Sequence, residues 1–184
     1  YPVILGLFFA FLGYKIFEKK RFSLKEFFMI KLIVIALLAS STLFSYEMNY
    51  DKNTTGLVRH LKVYEHPRWI SKVELRDGKE IYFSSPKSMF EFYHRPGKWA
   101  YLNLKGEEDI KTIIVTDYNS LKLINAKGSF FVYGSNATSP SGDDLPAFDS
   151  YKDATEFSKV HHGARVLGFR EVSNGLIKLL NGDI

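Results

Sequence analysis

Three residues near the start of the polar part of the chain carry side chains that could bind a metal ion. His60 and His66 lie six residues apart, and Met48 is the methionine nearest to them in the sequence. Imidazole binds copper, zinc or nickel, and a thioether is a soft donor suited to copper(I). The chain has no cysteine, which excludes thiolate ligands, disulfides and a cysteine nucleophile. We therefore expect any metal site here to be based on histidine.

The polar loop 134–146 contains acids and serines, but no complete catalytic motif. Asp143 and Asp144 are adjacent carboxylates, and neighbouring side chains in an extended segment point to opposite sides. Serines in the loop precede His161, yet the G-x-S-x-G motif of a nucleophile elbow does not occur. A glycine-rich phosphate-binding loop is also absent from the sequence. The sequence therefore predicts a non-catalytic protein.

Two asparagines lie in sequons for N-linked glycosylation. These sequons are Asn53-Thr54-Thr55 and Asn136-Ala137-Thr138. Only the first has an acid two residues ahead, Asp51, as bacterial oligosaccharyltransferases prefer. A glycan at Asn53 is therefore a hypothesis that an intact mass can test.

The overall composition indicates a folded protein. Of the 184 residues, 46% are hydrophobic and 16% are aromatic, which is too apolar for a disordered chain. The net charge of +5 is modest, and the basic residues are scattered among acids. No stripe of Lys and Arg alternates with aromatic residues, so we expect no nucleic-acid binding. The roughly 140 residues that follow the apolar N-terminal region are enough for one domain or two small lobes.

The first 45 residues carry targeting signals. Residues 1–28 contain an apolar run and a basic stretch, and a second apolar run follows Met29-Ile30-Lys31. One interpretation takes 29–45 as a signal peptide, and the other inserts both runs as a helical hairpin that anchors the chain in the membrane. The signal peptide is favoured, because the second run is shorter than the roughly 20 apolar residues of a spanning helix. Both interpretations export residues 46–184 to the periplasm or to the outer face of the cytoplasmic membrane.

Sequence patterns after residue 46 predict an α+β domain. A β-hairpin is expected at 69–84 with a turn at Asp77-Gly78, and a Ser-Pro pair at 85–86 starts a helix that ends at 95–97. Further strands are predicted at 110–116, 121–124, 129–133 and 164–172, helices at 150–161 and 176–180, and an exposed loop at 134–146.

An internal repeat relates the first two predicted helices. Residues 83–92 and 148–157 share the frame F-x-S-x-K-x-x-x-E-F at an offset of 65 residues. The repeat has two explanations, namely two independent helix N-caps or a duplicated strand–cap–helix unit. Duplication would give two lobes with a cleft between them, where the long loop could contact a ligand.

A longer series of motifs resembles one protein family. The matching segments are Pro67-Arg68-Trp69-Ile70, Asp77-Gly78, Ser85-Pro86-Lys87-Ser88-Met89-Phe90, Val115-Thr116-Asp117-Tyr118, Ile124-Asn125-Ala126, Phe130-Phe131-Val132, Ser139-Pro140-Ser141-Gly142, Leu145-Pro146-Ala147-Phe148 and Gly163-Ala164-Arg165-Val166-Leu167-Gly168-Phe169. Their order over residues 56–173 is similar to that of the NosL family. The resemblance implies two related ββα-type units in a compact two-lobed domain, which would also account for the repeat.

The resemblance also implies a function. NosL proteins are accessory proteins of nitrous oxide reductase, an enzyme of denitrification, and they resemble copper(I) chaperones. Copper would then be the cargo. The implied partners are nitrous oxide reductase or its maturation and transport proteins, with the N-terminus as the contact to the membrane.

The residues that would bind copper in the family are replaced in this chain. NosL proteins resemble one another in a Cys-Gly-Met motif, which falls on Arg59-His60-Leu61, and in a Pro-Met-Gly loop, which falls on Pro140-Ser141-Gly142. Arg59, Leu61 and Ser141 therefore occupy the positions where the resemblance places sulfur. Copper(I) prefers thiolate and thioether donors, and a permanently charged guanidinium repels the ion. The remaining candidates for substitute ligands are His60, His66 and Met48.

Two functions from different classes stay open at this stage. One is copper handling by a divergent accessory protein, which predicts an open pocket lined by His60. The other is a metal-free interaction module that docks a membrane transporter or an apo-enzyme. The second function predicts that Arg59 binds Asp143 or Asp144 across the cleft, so that an ion pair replaces the metal as a cross-link.

Overall fold

The Asp77-Gly78 turn joins the first two strands, as the sequence predicts. β1 (Ser71–Leu75) pairs antiparallel with β2 (Glu80–Phe83). Gly78 has a φ of 88°, a conformation that a glycine adopts without steric cost. The prediction of a strand from Trp69 was wrong at its start, because Pro67 opens a short 3-10 helix, Pro67–Trp69, ahead of β1. These coordinates come from a computed structural model that describes residues 46–184, together with Met29 and Lys31.

Serine caps start each of the three α-helices in the described part of the chain. Helix α1 (Pro86–His94) begins after Ser85, whose side chain accepts a hydrogen bond from the Ser88 backbone N–H. Helices α2 (Tyr151–Val160) and α3 (Asn174–Asn181) begin in the same way after Ser150 and Ser173. A serine at this position satisfies a backbone N–H that the helix leaves unpaired. The two predicted caps of the repeat are therefore confirmed.

Within residues 46–184, the other strands complete two sheets and a short hairpin. Their bounds are Ile110–Thr116 (β3), Leu123–Asn125 (β4), Phe130–Tyr133 (β5), Thr138–Ser139 (β6), Gly142–Asp143 (β7), Ala147–Phe148 (β8) and Arg165–Gly168 (β9). One sheet has the order β2-β1-β3-β4, and the other has the order β8-β5-β9. The loop 134–146 is not wholly exposed as predicted. It forms the hairpin β6–β7 and buries its last residues, since Leu145 packs into the core.

The two halves of the domain repeat one connectivity. In the first, β1 is the central strand and pairs antiparallel with β2 and with β3, and α1 connects β2 to β3. In the second, β5 is central and pairs with β8 and β9, and α2 connects β8 to β9. The phenylalanine ahead of each cap, Phe83 or Phe148, lies opposite the first residue of its central strand. The prediction of an α+β domain made of two related units is therefore confirmed.

Aromatic side chains fill the interface between the two units. The ring centroid of Phe90 on α1 lies 5.0 Å from that of Phe131 on β5 and 5.0 Å from that of Phe169. These residues belong to one buried cluster that also contains Val73 and Ile113 of the first sheet. Burial of this much apolar surface is the main stabilisation of such a domain.

The predicted targeting segments, 1–28 and 29–45, lie outside the described residues apart from Met29 and Lys31, so their roles stay predictions. Among the residues that the structure describes, no helix has the length and apolarity to cross a bilayer.

Candidate functional site

The loop that carries Arg59, His60 and Leu61 is held against the end of β2. The Gly56 N–H donates to the Leu61 carbonyl at 2.9 Å, which closes the loop. The neighbouring Leu57 N–H donates to the carbonyl of Tyr82 on β2 at 2.8 Å. A Cβ atom at Gly56 would lie 2.8 Å from the backbone nitrogen of Ser84, which leaves no room for a side chain there. Backbone contacts therefore fix the base of the loop against β2.

His60 lies at the tip of this loop in a left-handed conformation. Its φ is 56°, and its side chain is exposed. An L-residue in this region costs about 1 kcal/mol relative to glycine, although histidine tolerates it better than most residues. The family resemblance places glycine at this position. The backbone geometry thus fits a Cys-Gly-Met motif at 59–61 and supports the placement of that motif.

The hairpin that carries Ser141 approaches the same end of α1. The Ser141 hydroxyl lies 3.4 Å from the hydroxyl of Ser84, the residue that packs against Gly56. The Lys87 ammonium donates to the Ser141 carbonyl at 2.8 Å. The two loops that would supply copper ligands in the family therefore meet over the first turns of α1.

Arg59 does not bind either predicted acid. Its guanidinium donates to the Asn181 side-chain oxygen at 2.7 Å and lies 3.5 Å from the Glu91 carboxylate. Asp143 is exposed on β7, whereas Asp144 is buried. A guanidinium–carboxylate contact is present, but it joins the 59–61 loop to Glu91 on α1, and the hydrogen bond to the Asn181 amide joins the loop to α3.

The carboxylate of Asp144 accepts its hydrogen bonds from donors other than Arg59. It accepts from the backbone N–H groups of Lys87 and Leu145, each at 2.8 Å, and from the Ser139 hydroxyl at 2.7 Å. Burial raises the pKa of Asp144, and these hydrogen bonds oppose that effect. Asp144 therefore fastens the β6–β7 hairpin to the start of α1.

Glu91 is the centre of the ionic network around Arg59. Besides the Arg59 guanidinium, its carboxylate accepts from the Lys98 ammonium at 2.9 Å and from the Asn181 side-chain amide at 2.9 Å. Burial alone would raise the pKa of Glu91. The hydrogen bonds from Lys98 and Asn181, together with the positive charges, outweigh burial and hold this pKa below its ordinary value of 4.5.

Glu91→Gln should make the stability of the protein less dependent on pH in the acid range. At pH 7 we expect a loss of about 1–3 kcal/mol, because charge-assisted hydrogen bonds are removed. A carboxylate with a lowered folded pKa contributes its stability above the unfolded pKa and loses it as the pH falls through the folded value. The difference between wild type and Glu91→Gln, measured by urea unfolding, should therefore shrink below about pH 4.5. A constant difference from pH 7 to pH 3 would contradict this assignment.

Lys87 places a second cation, after Arg59, beside the 59–61 loop and the β6–β7 hairpin. Its side chain is almost completely buried, at 2% relative exposure. Besides the Ser141 carbonyl, its ammonium donates to the Leu180 carbonyl at 3.3 Å. Burial lowers the pKa of Lys87, while the nearby charges of Asp144, Asp143 and Glu91 favour the protonated form.

The residues of this site do not fit copper(I). Arg59, Leu61 and Ser141 offer no sulfur, and Arg59 and Lys87 bring positive charge to the region. The substitute candidates lie in different surroundings. His60 and His66 are exposed, and Met48 packs against the cluster of Val63, Ile70 and Tyr82. Among the described residues, no group of three His, Cys, Asp or Glu side chains could hold a metal ion.

A polar cavity lies beside the network, next to the β6–β7 hairpin. It has a volume of about 330 Å³ and is lined by Tyr133, Gly134, Ser135, Asp143, Asp144, Leu179 and Leu180. The long loop therefore borders a cavity, as the sequence predicts for a ligand site. Copper handling predicts a pocket lined by His60, and His60 does not line this cavity.

Sequence reasoning missed Lys87, Glu91 and Asn181 as parts of the site. Lys87 and Glu91 are the lysine and glutamate of the repeat frame, which was the one available signal. Their counterparts in α2, Lys152 and Glu156, form an ordinary exposed pair at 3.9 Å. In α1 the corresponding pair, Lys87 and Glu91, is buried against the 59–61 loop and the β6–β7 hairpin.

Comparison with known proteins assigns this fold to a family. The family model of NosL matches residues 47–177, and the chain belongs to the NosL family. The crystal structure of the copper chaperone NosL from Shewanella denitrificans is similar, with a TM-score of 0.61 and 21% sequence identity. The match covers 72% of this chain and 98% of that chain. A comparison with curated proteins finds no match. The predicted resemblance is therefore confirmed.

Proposed function

We propose that this chain is a non-catalytic NosL-type accessory protein in the maturation of nitrous oxide reductase, which acts without carrying copper(I) at the family position. In this proposal it is exported and works in the periplasm or on the outer face of the cytoplasmic membrane. It docks the apo-enzyme or a membrane transporter of the maturation pathway. Membership of the family supports the pathway, and the residues at 59, 61 and 141 support the loss of copper.

The network of Arg59 with Glu91 and Asn181 is the observation that carries this proposal. In a copper chaperone of this fold, ligands from two loops would be joined by the metal. Here side chains join the loops to the helices instead, with Arg59 bound to α1 and α3 and Lys87 bound to Ser141. Charge-assisted hydrogen bonds of this kind hold a fixed geometry without a metal.

Copper carriage by substitute ligands is the second candidate function. One observation favours it, since His60 is exposed at the tip of the loop that would carry the family motif. A single imidazole binds copper(I) weakly, so a second donor from the partner protein would be required. In that case copper would bind only in the complex.

Copper(I) titration of the full chain against a chromophoric chelator distinguishes these functions. We expect the wild-type chain to remove no copper(I) from a chelator of about micromolar affinity, because its loops offer no sulfur. Binding of one copper per chain that is lost in His60→Ala would instead establish copper carriage. His162→Ala serves as the matched control, because it removes an exposed imidazole that is not among the ligand candidates.

Docking is tested with the same protein and purified apo-nitrous oxide reductase. Binding measured by calorimetry should be unchanged when copper is removed by a chelator. Binding that requires added copper would contradict the metal-free form of the proposal.

A further inference from the structure

The turn at residues 51–55 presents a glycosylation sequon on the protein surface. Asp51, Asn53 and Thr55 are all exposed, and they are the three residues that the acidic bacterial sequon D/E-x-N-x-S/T specifies. The turn is held by its own backbone and by Asp51, whose carboxylate accepts from the Asn53 N–H and from the Thr54 N–H, each at 2.9 Å. The Asn53 carbonyl accepts from the Lys62 ammonium at 2.8 Å. These bonds use the backbone N–H and carbonyl of Asn53, and the residue is exposed.

The charge of Asp51 suits recognition by a transferase that reads an acid. The hydrogen bonds from the Thr54 hydroxyl and then from the Asn53 N–H lower the pKa of Asp51, so the carboxylate stays ionised to a lower pH than an ordinary aspartate. Asp51 is exposed, and the hydrogen bonds that its carboxylate accepts within the turn all go to Oδ1. An anionic group two residues ahead of the acceptor asparagine is therefore available to a basic pocket on an enzyme.

The second sequon provides a contrast within the same molecule. Its position two residues ahead of Asn136 is occupied by Gly134, which carries no charge. The Asn136 side-chain oxygen lies 3.0 Å from Nδ1 of His161, and its backbone N–H donates to the His161 carbonyl at 2.9 Å. The His161 ring is itself fixed by stacking on Phe157, with ring centroids 4.1 Å apart. The Asn136 amide is therefore held by His161 at the end of α2, and the Asn53 side chain is not held in this way.

We propose that Asn53 is the acceptor of an N-linked glycan from a lipid-linked donor, and that Asp51 and Thr55 specify the site. In this transfer the Asn53 amide nitrogen bonds to C1 of the glycan, while the bond between C1 and the lipid pyrophosphate oxygen breaks. The amide loses one proton, and the lipid pyrophosphate leaves. The donor is a polyprenyl-pyrophosphate oligosaccharide, and the enzyme is an oligosaccharyltransferase that requires an acid at this spacing. Copper binding plays no part in this proposal.

Transfer in vitro tests the proposal on the folded full chain. The purified chain, a purified acid-dependent oligosaccharyltransferase and a lipid-linked oligosaccharide of known mass are combined, and the intact mass is measured. We expect an increase of one glycan, located at Asn53 by peptide mapping. The increase should disappear in Asn53→Gln, fall at least about tenfold in Asp51→Ala and persist in Asn136→Gln.

A synthetic peptide of residues 49–57 controls for the activity of the enzyme. Glycosylation of the peptide with no transfer to the folded chain would overturn the proposal, because it would show that the folded turn does not present the acceptor. Transfer to Asn136, or transfer to Asn53 that is undiminished in Asp51→Ala, would also overturn it.

Discussion

Restoring the family residues at the two loops should give this chain a copper(I) site. In the variant with Arg59→Cys, His60→Gly, Leu61→Met and Ser141→Met, we expect one copper(I) per chain, bound at least about 100-fold more tightly than by the wild type. The reason is that the backbone is already arranged for it. Residue 60 has the φ of 56° that suits glycine, and the Ser141 hairpin reaches the same end of α1. The measurement is the chelator titration used for the wild-type chain.

A matched variant without sulfur separates ligation from the removal of charge. Arg59→Ser, His60→Gly and Ser141→Leu, with Leu61 unchanged, remove the same guanidinium and insert side chains of similar size. This variant should bind copper(I) no better than the wild type. Equal binding by the two variants would show that the gain comes from lost repulsion. Failure of the sulfur variant to bind, in a chain that remains folded, would contradict the placement of the family motif at residues 59–61.

The parts of the fold that could be predicted from the sequence are those determined by residues close together in the chain. The Asp77-Gly78 turn and the serine caps at Ser85 and Ser150 depend on residues within four positions of one another. The repeat frame also revealed the duplicated unit, because both copies preserve the phenylalanine ahead of the cap. The register of β5 against β8 and β9 did not follow from the sequence, since it is set by contacts across the whole domain.

The partners of the candidate site were not predictable, for a physical reason. The bond from Arg59 to Asn181 joins residues 122 positions apart, and nothing in the local sequence marks Asn181. The frame K-x-x-x-E reads identically in α1 and α2, yet it gives a buried network in one helix and an exposed pair in the other. The prediction that Arg59 binds Asp143 or Asp144 rightly expected an ion pair and chose the wrong acid. Asp144 lies near the site, but two backbone N–H groups donate to its Oδ1 and the Ser139 hydroxyl donates to its Oδ2.

Lys87→Met should destabilise the folded chain by about 3 kcal/mol, because it leaves buried polar groups without their partner. The carbonyls of Ser141 and Leu180 lose the ammonium that binds them, and the buried Asp144 loses a nearby positive charge. Methionine keeps a similar length, so a cavity contributes little to the loss. The free energy of unfolding can be measured with urea through the fluorescence of the two tryptophans.

The repeat supplies the control for this substitution. Lys152 holds the equivalent position in α2, but its side chain is 82% exposed and its ion pair spans 3.9 Å. Lys152→Met should therefore change stability by less than about 0.5 kcal/mol. Adding Asp144→Asn to Lys87→Met should recover at least about 1 kcal/mol, because the amide removes the uncompensated charge and can still accept from two backbone N–H groups. Similar losses in Lys87→Met and Lys152→Met would show that the ammonium of Lys87 has no special role. The hairpin would then be held to α1 by the hydrogen bonds of Asp144 alone.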